Sequence, residues 1–126
     1  MSMETGITLY FRHDTILVRS KTIQDLKYPK YIHLLVNEKK KYLFIQNCEH
    51  DKDAFKVDYL RHYKDNKNKI RYRIFAKPLL RYLAKVINVS FDSDSLWFAG
   101  ALMDDGKTVF VNLKEYQVIP YDELLE

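Results

Sequence analysis

Apolar residues along the chain mostly alternate in short runs and recur at helical spacing in only two places, which predicts a strand-rich protein. Residues 7–11 and 15–18 are rich in β-branched and aromatic side chains and are separated by Arg12, His13 and Asp14, which fit a turn. Ser20 is placed to cap a short helical turn reaching about residue 26, with Ile23 and Leu26 on its buried side. Tyr28, Pro29 and Lys30 end that turn. Residues 31–36 and 41–46 flank a polar turn at 37–40, the mark of a hairpin. Residues 70–75 alternate Ile70, Tyr72 and Ile74 with Arg71 and Arg73, the period of a strand with one exposed face. Pro78 suits a first helical turn, and Leu79, Leu80, Leu83, Val86 and Ile87 follow at helical spacing. Lys77, Arg81 and Lys85 fall on the opposite side of that helix. Residues 95–103 and 107–113 make a second hairpin around Asp104, Asp105 and Gly106, where glycine supplies a positive φ. Residues 120–125 add a last helical turn.

The order strand, short helix, hairpin occurs twice. Segment 15–26 aligns on 72–83 without a gap, placing Leu17 on Ile74, Val18 on Phe75, Ile23 on Leu80 and Leu26 on Leu83. Identity is slight, so the alignment rests on the pattern of apolar positions. The expectation is one domain over 1–126, with pseudo-repeat halves at about 7–47 and 70–113 and a polar connector at 48–69. The fold class that follows is α+β and strand-rich: two β-α-β-β units packed as a small barrel or pair of sheets, with short helices.

Composition supports a packed core, with 47% hydrophobic and 30% charged residues in 126. The longest apolar stretches, 31–36 and 96–103, fall far short of the roughly 20 residues of a membrane-spanning helix. The first ten residues carry Glu4 and no basic residue ahead of their apolar positions, unlike a secretory signal. Cys48 is the single cysteine and has no internal disulfide partner, so a reducing, cytoplasmic location is expected. Gly6, Gly100 and Gly106 never approach the spacing of a phosphate-binding glycine loop.

Charge is distributed unevenly. The formal net charge of +4 divides into +2 over residues 1–60, +8 over 61–85 and −6 over 86–126. The basic run is Arg61, Lys64, Lys67, Lys69, Arg71, Arg73, Lys77, Arg81 and Lys85, interrupted by Asp65 alone. Such density points to a polyanion or an acidic protein as partner. The alternative is a solvated face balanced in space by the acidic C-terminal part.

A strand running into Lys77-Pro78 and an amphipathic turn, then a hairpin, resembles the swapped-hairpin unit of AbrB-like transition-state regulators and the related MraZ and MazE-type proteins. The residues carrying the resemblance are Arg73, Ile74, Phe75, Ala76, Lys77, Pro78, Leu79, Leu80 and Leu83, followed by 96–100 and 107–111. In the first half Lys21 stands where Pro78 stands in the second. The resemblance implies an interleaved barrel that binds DNA through basic residues of the first strand and its loops. Arg71, Arg73 and Lys77 would then lie at that surface, with Arg12, Arg19 and Lys21 as weaker counterparts.

No reactive constellation stands out, and no enzyme activity and no cofactor is expected. Cys48, His50 and His62 form a single CxH with one distant histidine, short of the paired spacings of structural zinc, so no metal site is assigned. His13 and His33 have no partner spacing, and Asp92, Asp94, Asp104 and Asp105 lack the glycine and final glutamate of a calcium loop. Tyr59, Tyr63, Tyr72 and Tyr82 lie in or beside the basic segment, where aromatics serve stacking on single-stranded nucleic acid. Tyr72 alternates with the arginines and faces away from them, and Trp97 reads as a core anchor. The expected partner is duplex DNA, gripped by Lys69, Arg71, Arg73, Lys77, Arg81 and Lys85 with Arg12 and Arg19 in support, as in a small transcriptional regulator. The competing reading is a protein-interaction module, mobile-element or antitoxin-like, docking on an acidic protein. No membrane partner is expected, and an open sheet edge would favour a homodimer over a monomer.

Overall fold

The computed structural model describes residues 5–50, 52–57, 61–64, 70–90 and 94–119, with the backbone path alone for 61–64, 70 and 71. The chain opens with β1 (Gly6–Tyr10), a 3₁₀ turn (Phe11–His13), β2 (Thr15–Val18) and α1 (Ser20–Asp25). Next come β3 (Tyr31–Asn37), β4 (Tyr42–Cys48), β5 (Phe55–Lys56), β6 (Arg61–Lys64) and β7 (Ile70–Phe75). The second half continues with α2 (Lys77–Ile87), β8 (Ser95–Leu102), β9 (Thr108–Asn112) and β10 (Gln117–Ile119). Among the described residues no helix is long and apolar enough to cross a membrane.

Two separately packed β-α-β-β units do not form, and this corrects the expected fold class. The strands join one curled antiparallel sheet in the order β5-β3-β4-β9-β8-β1-β2-β7-β6, with β10 added on β8. Among the described residues α2 is the one substantial helix. Strands from the two halves alternate across the sheet: β2 pairs with β7, and β4 with β9. The physical reason lies in β2, where Thr15, Ile16, Leu17 and Val18 are all buried, so both faces and both edges need cover that one half cannot supply. The polar segment 48–69, read as a connector, contributes edge strands β5 and β6. The expected helical turn at 120–125 lies outside the described residues.

β8 joins the sheet's two regions. Its first part, Leu96 to Ala99, pairs with β1, while Gly100, Ala101 and Leu102 pair with β9. β10 fills the edge beside Ser95, Leu96 and Trp97 that β9 leaves open. Gly100 sits where the partner changes, and a Cβ there would lie 2.8 Å from Val109 Cγ1.

Paired residues across an antiparallel sheet point to the same face, so register assigns the core. Ile7, Val18 and Tyr72 form one row, and Leu9, Ile16 and Ile74 the next. Phe98 and Leu96 extend these rows, and Leu43–Val111 and Ile45–Val109 carry the face onward. All are buried in one cluster, which Ile23 of α1, Leu26 at its C-cap and Leu80, Leu83, Ala84, Val86 and Ile87 of α2 complete on the inner side of the curl. Pro78 opens α2 and Asn88, with φ of 69°, closes it through hydrogen bonds to Ala84 and Lys85.

α1 is held at Gly6. The Thr22 hydroxyl accepts from Gly6 N–H and donates to Gly6 C=O, both at 2.8 Å. Arg19 N–H also donates to the Gly6 carbonyl, at 3.1 Å. A Cβ on Gly6, whose φ is +152°, would lie 2.1 Å from the Phe98 carbonyl oxygen of β8. Beside this junction Asp25 accepts from Thr5 and from Lys21, the latter at 2.7 Å. Burial pushes the Asp25 carboxyl up, but the Lys21 and Thr5 hydrogen bonds and the Lys21 charge outweigh it and hold it below its ordinary value.

Gly6→Ala should lower stability by about 1–3 kcal/mol from backbone strain alone, with the Phe98 clash added, read as a drop in urea midpoint. A midpoint equal to wild type would contradict the close approach at Gly6. A depressed folded carboxylate contributes stability above its unfolded pKa of about 3.9 and loses it as pH falls through the folded value. Stability should therefore fall on acidification below about pH 4. Asp25→Asn should flatten part of that fall, whereas an unchanged acid profile would remove Asp25 as a contributor.

Candidate nucleic-acid interface

The sheet's alternation divides the basic residues between two surfaces. Arg73 lies directly opposite Leu17 on β2, Leu17 opposite Thr8 on β1, and Thr8 opposite Trp97 on β8. This row is the outer face of the sheet, since the intervening residues Ile74, Ile16 and Leu9 point to the core. Lys77, Arg81 and Lys85 belong to α2, whose leucines pack against the inner face. Arg73 and the helix cations therefore stand on opposite sides of the sheet, and the continuous strand-helix face read from the sequence is divided.

On α2 the three cations are exposed and four residues apart, a rise of about 6 Å for each step, so they line up along one side. The helix contains no acidic residue, and its start has no side-chain cap and no acid in the first turn. The partial positive charge of a helix N-terminus thus adds to Lys77 and Arg81. Tyr82, beside Arg81, is turned toward the β3–β4 turn, where burial and the hydrogen-bonded Glu38 carboxylate raise its phenol above the usual value. That contact ties the helix to the hairpin tip and engages the nearby acid.

On the outer sheet face Arg19 crosses β1 beside the side-chain-free Gly6 and stacks over Trp97, its guanidinium carbon 4.9 Å from the ring centroid. Beneath lie the Thr8 hydroxyl and the Trp97 indole N–H, both buried and without a hydrogen-bond partner among the described residues. Arg12 is exposed in the 3₁₀ turn between β1 and β2, beside the edge-to-face pair of Tyr10 and His13. Lys21 is engaged by Asp25. Arg71 lies in β7 with its side chain outside the described residues, and Lys69 lies outside them altogether.

Two features escaped the sequence reading. Trp97 is half-buried on the outer face and is no core anchor; β8 is apolar on both faces, so alternation alone cannot tell Trp97 and Ala99 from Leu96 and Phe98. Tyr42, Phe44 and Phe110 also meet on the outer face, with Tyr42 and Phe110 centroids 4.8 Å apart and Phe44 and Phe110 5.7 Å apart. Their signal was the aromatic phase of strands whose other phase, Leu43, Ile45, Val109 and Val111, is core. Both Asp105 oxygens are engaged by the Lys107 and Thr108 amides and the Thr108 hydroxyl, which lowers its pKa and makes it a turn residue. Cys48 Sγ faces the His50 carbonyl at 3.2 Å.

Compared with protein-family models, curated proteins and solved structures, the chain matches none.

Because Trp97 is the only tryptophan, its emission reports the Arg19 stack directly. Arg19→Ala should shift that emission to longer wavelength and cost about 0.5–2 kcal/mol of stability. Emission identical to wild type would contradict the stack.

Proposed function

We propose that the protein is a non-enzymatic DNA-binding protein, acting as a small transcriptional regulator, that holds duplex DNA through the outer side of α2. The observation that carries the reading is a helix with Lys77, Arg81 and Lys85 aligned on its exposed side, no acid in its length and an uncapped, positively polarised start. A first turn bearing Lys77 and no acid opposes the helix dipole, an arrangement that becomes favourable when an anion sits at that end. Of the residues that the AbrB-like resemblance assigns to a DNA surface, Lys77 lies on this helix, whereas Arg73 lies on the other face of the sheet. Phosphate contacts of this kind supply affinity and register.

Arg73, Arg19 and Arg12 lie on or beside the other face, so they are not part of the same footprint. A labelled duplex of about 30 base pairs, followed by anisotropy, should bind with an affinity that falls steeply with salt. Lys77→Ala, Arg81→Ala and Lys85→Ala together should reduce the slope of log K against log salt by about 2–3, near 0.9 for each phosphate no longer neutralised. Absence of binding at low salt, or an unchanged slope in the triple variant, would overturn the assignment. A stoichiometric acidic protein recovered in place of nucleic acid would give the helix to the protein-docking reading.

A further inference from the structure

The outer face of β3, β4, β9 and the second part of β8 carries a compact apolar platform. Register aligns Leu35, Phe44, Phe110 and Ala101 in one row across four strands. The adjoining row is Asn37, Tyr42 and Asn112. Leu35 is 43% exposed, and the three rings are partly exposed on a face turned away from the core. Phe44 and Phe110 are tilted at 46° to each other, while Tyr42 stands edge-on to both.

One end of this platform is cationic. The β3–β4 turn brings Lys39, Lys40 and Lys41, and the turn after β9 brings Lys114; Leu113 N–H donates to Lys41 C=O at 2.9 Å and joins the two turns. Lys114 Nζ lies 5.7 Å from the Tyr42 ring centroid. The nearby acids are engaged elsewhere, Glu115 by the Asn112 side-chain amide at 2.7 Å and Glu38 by Tyr82. Among the described residues no ion pair joins any of these four lysines to a carboxylate.

Aromatic rings on an open sheet face beside unneutralised lysines combine the two chemistries that single-stranded nucleic acid needs, stacking for bases and cations for phosphates. We infer that this face binds single-stranded nucleic acid, with bases stacked on Phe44 and Phe110 and the backbone running past Tyr42 to Lys41 and Lys114. Stacking on a ring face accepts any base, so binding through Phe44 and Phe110 is sequence-tolerant. It is separate from α2 and does not depend on the duplex reading.

The test is anisotropy of a fluorescein-labelled oligo(dT) of about 12 nucleotides at low salt. Phe44→Leu and Phe110→Leu keep an apolar side chain and remove the π faces, and each should weaken binding at least about fivefold. Phe44→Tyr and Phe110→Tyr should retain it. Lys41→Gln with Lys114→Gln should lower affinity and reduce its salt dependence. Absence of oligo(dT) binding by the wild type, or equal affinity in the leucine variants, overturns the proposal. So does concentration-dependent self-association that the leucine variants abolish, which would give this face to a second copy of the chain.

Discussion

The structure depends on one close approach of three backbones at Gly6. β8 passes so near that a Cβ would meet the Phe98 carbonyl, and α1 holds the glycine's N–H and C=O through a single hydroxyl, Thr22. Each link constrains the others. Pairing of β1 with β8 places Ile7 on Phe98 and Leu9 on Leu96, which sets the core register. The hydrogen bonds to Thr22 seat α1 and carry Ile23 and Leu26 into the same cluster. Arg19, whose N–H donates to the Gly6 carbonyl, stacks over Trp97 from this junction. A side chain at position 6 would push against β8 and strain the junction that seats α1.

The same geometry assigns charge to surfaces. Strand alternation sends Arg73 outward and Tyr72 and Ile74 inward, while the leucines of α2 force its cations to the far side of the helix. Two separate cationic surfaces result, each with its own neighbours. α2 offers three exposed cations and an uncapped helix start with no acid in its own sequence. The β3–β4–β9 face offers rings and lysines whose adjacent carboxylates are occupied.

Local pattern carried much of the element reading and little of the assembly. The alternation of 70–75 and the helical spacing from Leu79 to Ile87 marked β7, α2 and the buried side of each. Which strand lies beside which depends on contacts far apart in sequence, such as Thr15 with Phe75 and Leu43 with Val111, and no local period encodes them. The repeated element order suggested two units because each half contains a strand, a helix and a hairpin; neither half can cover both faces of its own strands. β5 and β6 lay hidden in a polar segment because edge strands need few apolar residues. The outer aromatic platform was illegible for a different reason. When both phases of a strand are apolar, period-2 alternation vanishes and exposure depends on what packs on each side.

Contact between α2 and nucleic acid is the centre of this reading. The most direct measurement is the ¹H–¹⁵N correlation spectrum of the labelled protein titrated with a short duplex at low salt. The largest shifts should cluster on the amides of α2 and its C-cap, at Lys77, Arg81, Tyr82, Lys85 and Asn88, and fade as salt is restored. Saturable shifts confined to other elements, with α2 unmoved, would contradict it.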